Sequence, residues 1–143
     1  MYKRIAIAYD ESSSSEHALA TAISLAAALG ASLRIITVVE PLPLYVNMTL
    51  AVDPDLPQQL LNERRERFQQ ALKLALQHAA DAGVTADAAL IEGREVDGIL
   101  AEVSACHAAL LVFGLHQRLG FGEMGSTSHR IAMRVPCPIL GVP

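Results

Sequence analysis

Short apolar runs alternate along the chain with longer segments in which apolar residues recur every three or four positions. A short continuous apolar run is typical of a strand covered on both faces, and the longer period is typical of an amphipathic helix. The runs predict five strands, at residues 5–9, 33–39, 86–91, 109–113 and 138–142. The periodic segments predict four helices, one from the serine run 12–15 to Gly30 and others at residues 57–82, 96–106 and 125–134. This alternation predicts a single α/β domain over residues 1–143, with a parallel sheet and helices on both faces.

The two longer predicted helices each carry one apolar stripe and recognisable ends. Gly30 is expected to end the first helix, whose stripe consists of Ala18, Leu19, Ala22, Ile23, Ala26 and Leu29. Asp55 is the expected cap of the second helix, Pro57 is tolerated in its first turn, and its stripe consists of Leu61, Phe68, Leu72, Ala75, Leu76 and Ala79. The mixed-sign run 63–67 is expected to be a solvated face. Residues 40–56 are expected to form a loop, with a short turn at residues 46–51.

Composition and charge exclude several classes of function. An apolar fraction of 52% with 18% charged residues excludes a disordered chain. The net charge is −4 and no run of Lys or Arg exceeds two residues, so a nucleic-acid surface, which needs clustered cations, is disfavoured. The apolar run after Arg4 is too short to span a membrane and no leader cleavage site follows it, so a cytoplasmic protein is expected. Cys106 and Cys137 have neither metal-site nor CxxC spacing and are expected to be buried or half-buried thiols.

Candidate binding residues cluster where the predicted strands end. In an open α/β sheet, ligands bind outside the carboxyl ends of the strands. Asp10 ends the first predicted strand, Val38 lies at the end of the second, and Gly114 follows the fourth. An aspartate in such a place can accept hydrogen bonds from a ribose hydroxyl or an adenine amino group. The alternative for Asp10 is a turn residue at the start of a helix, and the sequence leaves both open.

A glycine-rich loop precedes the last predicted helix. Glycines allow the backbone to approach a phosphate, and free N–H groups at a helix start can hold one. The candidate phosphate residues on this segment are His116, Arg118, Gly120, Gly122, Gly125, Ser126 and Thr127. Residues 120–125 read GxGxxG, but a dinucleotide fingerprint belongs after the first strand with an acidic residue further on, so NAD or FAD is disfavoured. No P-loop, GxSxG elbow or other catalytic constellation occurs, and no metal site is expected.

Several segments, taken in order, resemble the universal stress protein family. The opening Ile5-Ala6-Ile7-Ala8-Tyr9-Asp10-Glu11-Ser12 is similar to the start of these proteins. Glu92-Gly93 followed by Ile99 resembles the family's Gly-x5-Ile segment. Gly114-Leu115-His116-Gln117-Arg118-Leu119-Gly120 looks like the family's Gly-Ser-His-Gly-Arg-x-Gly loop. Gly125-Ser126-Thr127-Ser128 resembles its phosphate-site Gly-Ser, and Arg134-Val135-Pro136-Cys137-Pro138-Ile139-Leu140 resembles its Ala-Pro-Cys-Pro-Val-Leu ending.

The resemblance implies a Rossmann-like (adenine nucleotide alpha-hydrolase-like) sandwich with a five-stranded, mostly parallel sheet and four helices. Members that bind ATP carry Gly-x2-Gly-x9-Gly-[Ser/Thr]. This chain keeps Gly114, has Gln117 at the second glycine, and has only seven residues before Gly125. The resemblance therefore implies adenine and ribose contacts at Asp10, Val38 and Gly114 more strongly than phosphate contacts at residues 125–127.

Two functions follow from this resemblance. The first is a stress-response or signalling protein that binds ATP or AMP, with or without magnesium, and at most hydrolyses ATP slowly. The second, suggested by Gln117 and the shorter loop, is the same fold without nucleotide, acting through protein–protein interaction. The resemblance also implies a homodimer through antiparallel pairing of the last strand, Ile139–Val142, because an exposed apolar edge strand needs a partner.

Overall fold

The computed structural model describes residues 1–42, 54–115 and 126–143, together with the backbone but not the side chain of Ser126. Within these ranges the chain alternates strand and helix, as the hydrophobic pattern predicts. The elements in chain order are β1 (Arg4–Ala8), α1 (Ser13–Leu29), β2 (Ser32–Val39), α2 (Leu56–Asp81), β3 (Ala86–Glu92), α3 (Glu95–Ala105), β4 (Leu110–Gly114), α4 (Ser126–Arg134) and β5 (Ile139–Val142). The predicted turn at residues 46–51 lies outside the described residues.

The five strands form one sheet in the order β3-β2-β1-β4-β5, and every pairing is parallel. The chain moves outward from β1 to β3 on one side and then crosses to β4 on the other. The strand order therefore reverses between β1 and β4, at the middle of the sheet. This is a Rossmann-like α/β fold, as expected, and the sheet is wholly parallel over the described strands.

Alternate residues of each strand face two separate apolar cores. Ile5, Ile7 and Ile35 pack with α1 and α2 on one face. Ala6 and Ile36 pack with α3 and α4 on the other face. This two-sided burial explains why the strands read as nearly continuous apolar runs.

The helix ends agree with the sequence in one case and differ in another. Gly30 ends α1 in the left-handed conformation, with φ of 64°. Asp55 occupies the N-cap position of α2, as predicted, but its backbone angles are helical and its side chain accepts no capping hydrogen bond. Proline in the first turn of α2 removes one of the N–H groups that a cap would otherwise satisfy.

The predicted stripes are correct except at their margins. In α1 the buried residues include Ala18, Leu19, Ala22 and Ala26, whereas Leu29 is exposed in the last turn. In α2 the stripe is buried at Leu72, Ala75 and Ala79 and half-buried at Leu61, Phe68 and Leu76. None of the helices in the described ranges is long and apolar enough to cross a membrane.

Candidate functional site

A cleft opens at the carboxyl edge of the sheet, at the point where the strand order reverses between β1 and β4. Its walls come from the ends of β1, β2 and β4 and from the first turns of α3 and α4. Its enclosed part is small, about 40 Å³, and it opens to solvent. Open parallel sheets bind ligands at this reversal, because the loops on its two sides diverge and leave a crevice.

The floor of the cleft is apolar. It is formed by Ala8, Ile36, Val38, Ile99, Phe113 and Ile131. Of these residues, only Val38 was proposed from the sequence as a binding residue. The available signal was the strand alternation, since Ala8, Ile36 and Phe113 face the α3–α4 core from the carboxyl halves of their strands. An apolar floor of this kind suits the flat face of a base or another planar apolar group.

Asp10 lies at the rim of the cleft and also organises the turn into α1. One of its carboxylate oxygens accepts a hydrogen bond from the Ser12 N–H at 3.0 Å. Its own N–H donates to the Ser15 hydroxyl at 3.3 Å. Asp10 is exposed and lines the cleft. The structure therefore gives Asp10 the turn role that the sequence offered as an alternative, while leaving it beside the predicted ligand site.

The strand before Asp10 is held firmly by buried hydrogen bonds. The Thr37 hydroxyl donates to the Tyr9 carbonyl at 2.8 Å, and the Tyr9 N–H donates to the Ile36 carbonyl at 2.8 Å. The Tyr9 hydroxyl donates to Glu16 on the first turn of α1. Burial of the phenol, and then its bond to the Glu16 carboxylate, raise the pKa of Tyr9 above its ordinary range. These contacts fix the position from which Asp10 projects.

Gly114 lines the cleft, but its lack of a side chain has a second cause. A Cβ at this position would lie 2.6 Å from the Ser14 carbonyl carbon and 2.7 Å from the Ser15 nitrogen. Both atoms belong to the backbone of α1 and cannot move aside. Glycine is therefore required here so that β4 can end against the start of α1.

Val38 is held in the cleft wall by the close approach of α3. A Cβ on Gly98 would lie 2.9 Å from Val38 Cγ2, so the bare helix surface at Gly98 lets α3 pack against the end of β2. Val38 is half-buried, with part of its surface on the cleft. Ile99, the next residue on α3, adds to the floor.

The start of α4 supplies the remaining described wall. Thr127 and Ser128 line the cleft from the first turn of the helix that begins at Ser126. Five other residues proposed from the sequence lie outside the described residues: His116, Arg118, Gly120, Gly122 and Gly125. The structure thus brings Asp10, Val38, Gly114 and Thr127 together around one cleft.

The described charges on the cleft wall are negative. Asp10 and Glu95 are the two carboxylates among its described lining residues, and none of those residues is a lysine, arginine or histidine. The α3 helix starts beside a third carboxylate, because Glu40 accepts a hydrogen bond from the Glu95 N–H at 3.1 Å. The positive end of α3 is therefore already occupied by a side chain of this chain. Within the described ranges, no group of three potential ligands is arranged to hold a metal ion.

Two arginines of α2 form ion pairs with carboxylates in the turn after β1 and at the carboxyl end of β3, next to the cleft. Arg65 forms an ion pair with Glu92 at the end of β3, and Arg67 bonds Glu11 at 2.9 Å. Glu11 has a positive φ of 64°, so the turn after β1 places its side chain next to α2. The sequence predicted a solvated face at residues 63–67, and the pattern contained no signal for these partners.

The match to known proteins covers the whole sequence. The model of the universal stress protein family matches residues 1–143. The chain belongs to this family. A universal stress protein of Thermus aquaticus, encoded in the 3′ region of a QAH/OAS sulfhydrylase gene, is 32% identical over 143 residues, and 98% of each chain is covered.

Solved universal stress proteins share the fold. A family member from Burkholderia pseudomallei is 28% identical, with a TM-score of 0.80 over 99% of this chain and 96% of that one. Another universal stress protein, solved in complex with cAMP, is 26% identical, with a TM-score of 0.64 over 99% of this chain and 97% of that one. The fold expected from the sequence is therefore confirmed.

Proposed function

We propose that this universal stress protein binds an adenine nucleotide, ATP or AMP, in the cleft and acts in stress response or signalling in the cytoplasm. The observation that carries the proposal is the position of the cleft at the reversal of strand order, with Asp10, Val38, Gly114 and Thr127 around it. The cAMP complex of a related protein gives further support, since that ligand contains the same base and ribose.

In the proposed complex the adenine ring lies on the apolar floor beside Val38. Asp10 accepts a hydrogen bond from a ribose hydroxyl, and the phosphates extend toward the start of α4 at Ser126 and Thr127. Backbone N–H groups at a helix start favour an anion there. Residues 116–125 begin two positions after Gly114, and His116, Arg118, Gly120, Gly122 and Gly125 remain the proposed further phosphate contacts. Magnesium would offset the charge of a triphosphate beside Asp10 and Glu95.

A second candidate is a member of this fold that has no nucleotide and acts through protein–protein interaction. Two observations favour it. The described cleft wall carries two carboxylates and no cationic side chain. The loop also replaces the second glycine of the ATP motif with Gln117 and is two residues shorter than that motif.

The first test is mass spectrometry of small molecules released when freshly purified, never-dialysed protein is denatured. Stoichiometric ATP, ADP or AMP would support the nucleotide-binding proposal. An empty protein whose melting temperature does not change with millimolar ATP and magnesium, AMP or cAMP would refute it and favour the interaction protein.

The second test separates the two roles of Asp10. Asp10→Asn keeps a side-chain oxygen for the Ser12 N–H but removes the charge, whereas Asp10→Ala removes both. We expect Asp10→Asn to keep its melting temperature and to lose affinity for AMP about 10-fold or more in titration calorimetry. Asp87→Asn, on β3 at the opposite edge of the sheet, is the matched control and should bind as the wild type does. Unchanged affinity in Asp10→Asn would remove Asp10 from the proposed site.

We further propose that β5 pairs with β5 of a second copy to form the homodimer. It is the outermost strand next to β4, and Ile139 on it is 39% exposed. A lysine at such an edge discourages strand pairing. We expect Ile139→Lys to halve the mass measured by sedimentation equilibrium, whereas Leu74→Lys, at an exposed position of α2, should leave the mass unchanged. A wild-type chain that sediments as a monomer would refute this proposal.

A further inference from the structure

The two cysteines lie at the same end of the molecule, although 31 positions separate them in the sequence. Cys106 directly follows α3, and Cys137 directly precedes Pro138 and β5. Both are free and half-buried. Both pack against the apolar core on the α3–α4 face of the sheet. This location places them at the amino edge, away from the proposed nucleotide cleft.

Backbone pairing brings the segments that carry the two thiols together. The Leu111 N–H donates to the Pro138 carbonyl at 3.0 Å, and Leu111 pairs with Ile139 in the parallel ladder. The two thiols therefore lie on segments that lead into the amino ends of neighbouring strands, which are about 4.8 Å apart.

The turn between Cys106 and Ala109 is tight. The Ala108 N–H donates back to the Val103 carbonyl at 3.1 Å, and His107 has a positive φ of 52°. The chain therefore leaves α3 and enters β4 within a few residues, so that Cys106 stays close to the amino end of β4. Cys106 Sγ lies 3.7 Å from the Val103 carbonyl oxygen, on the inner side of this turn.

The chemistry of Cys137 agrees with this proximity. Burial raises the pKa of the Cys137 thiol, a hydrogen bond from the Leu111 backbone opposes the shift, and the charge of a Cys106 thiolate adds to it. Both cysteines pack against the same apolar core beside the amino ends of the paired strands β4 and β5, which agrees with this influence. Cys137 is held as a neutral thiol at neutral pH, which makes it a poor first nucleophile.

We propose that Cys106 and Cys137 form a redox pair that a hydroperoxide converts into an intramolecular disulfide. The Cys106 thiolate attacks the peroxide oxygen, so that the O–O bond breaks, a sulfenic acid forms and one molecule of water or alcohol leaves after protonation. The Cys137 sulfur then attacks the Cys106 sulfur, and the sulfenic hydroxyl leaves as water with the thiol proton. Overall, two thiols are oxidised by two electrons and one peroxide is reduced.

The disulfide would close a loop that contains β4 and α4. Gly114, Thr127 and Ile131, which line the cleft, all lie within this loop. Oxidation would therefore restrict the segment that forms one side of the cleft. The proposal does not depend on nucleotide binding, so it can fail or succeed separately from the proposed function.

The test treats the native, full-length protein with excess hydrogen peroxide, then unfolds it in N-ethylmaleimide. We expect a monomeric product about 2 Da lighter than the reduced chain, with no maleimide attached. Trypsin should release residues 95–118 and 135–143 as one cross-linked species, which separates upon reduction. The melting temperature of the oxidised form should exceed that of the reduced form by roughly 10 °C or less.

Single variants test the order of events. Cys137→Ala should trap an oxidised Cys106 that reacts with dimedone, whereas Cys106→Ala should leave Cys137 reduced under the same treatment. Both variants are checked for native circular dichroism, and the wild-type cross-link stands as evidence even if one of them fails to fold. The proposal is overturned if both wild-type thiols still react with maleimide, if each is oxidised separately, or if the only disulfides join two chains.

Discussion

Gly114 shows how packing within the fold, and not only a ligand, can require a glycine at a binding cleft. The end of β4 approaches the first turn of α1 so closely that a Cβ would lie 2.6 Å from the Ser14 carbonyl carbon. The family resemblance alone implies a ligand contact as the reason for this glycine. The contact with α1 would require it even in a relative without nucleotide.

The first prediction concerns this contact. We expect Gly114→Ala to lower the free energy of unfolding by about 1–3 kcal/mol, because the new methyl group must push α1 away from β4. Gly141→Ala is the matched control in β5, where the three atoms nearest to the new methyl would all belong to the Leu115 side chain and not to the backbone. Urea unfolding measures both. Equal losses in the two variants would contradict the packing argument.

Tyr9 gives a second prediction, at alkaline pH. Burial and the bond to Glu16 raise the pKa of the Tyr9 phenol, so the folded protein holds it neutral above the pH at which an unfolded tyrosine ionises. This contribution to stability is fully present below pH of about 10 and is lost as pH rises from there toward the folded-state pKa. The free energy by which the wild type exceeds Tyr9→Phe should therefore fall above pH of about 10.

Urea unfolding of the wild type and Tyr9→Phe at several pH values measures this difference. Below pH of about 9 we expect Tyr9→Phe to be less stable by about 0.5–1.5 kcal/mol, the usual value of one hydrogen bond. A constant difference between neutral and alkaline pH would show that ionisation of Tyr9 is not linked to folding.

At the scale of elements, the serine run before and within α1 divides into different roles. The Ser12 hydroxyl accepts a hydrogen bond from the Ser15 N–H at 3.2 Å and so caps the helix. Ser15 is buried, and its hydroxyl donates to the Ser12 carbonyl at 3.1 Å. Ser13, in contrast, is exposed at the first helical position. The start of α1, and with it the Asp10 turn, depends on two of these serines.

The third prediction tests this division. Ser12→Ala should lower the free energy of unfolding by about 1 kcal/mol, because the Ser15 N–H loses its partner at the helix start. Ser13→Ala replaces the same residue type at the next position and should change the free energy of unfolding by less than about 0.5 kcal/mol. Thermal or urea unfolding of the two variants gives the comparison. A larger loss of unfolding free energy in Ser13→Ala than in Ser12→Ala would show that Ser12 is not the residue that caps α1.

Elements with strong local signals were predictable from the sequence, and contacts between distant elements were not. The apolar period placed β1, β2 and α1 to within one or two residues, and Gly30 marked a helix end correctly. The partner of Arg65 is Glu92, which lies 27 positions away, and no period relates them. Likewise, the cleft floor combines Ile99 and Ile131 from two helices that only the folded sheet brings together.

At the scale of the whole molecule, the two edges of the sheet carry charge in different ways. At the carboxyl edge, Asp10 and Glu95 line an open cleft. Toward the amino edge, Arg4 of β1 and Arg34 of β2 both pair with Asp87 of β3, at 3.1 and 3.2 Å. This cluster ties three strands together, while the opposite edge keeps its carboxylates at a site open to solvent.

The fourth prediction follows from this cluster and concerns acid. Burial of the Asp87 carboxyl opposes its ionisation, but hydrogen bonds and ion pairs from Arg4 and Arg34 outweigh it and lower its pKa. A lowered folded-state pKa stabilises the protein above the unfolded value near 4, and that stability is lost as pH falls through the folded-state value. Because Asp87 is half exposed, solvent screening limits the effect to about 1 kcal/mol at most.

Asp87→Asn removes this titration while keeping a side chain of the same size. We expect its free energy of unfolding to fall less steeply than that of the wild type between pH of about 5 and 2, as measured by urea unfolding. High salt should reduce the difference, because screening weakens exposed ion pairs more than buried ones. Parallel acid profiles for the two proteins would mean that Arg4 and Arg34 do not hold Asp87 ionised, and that the backbone ladder and apolar packing join β3 to the sheet without help from this cluster.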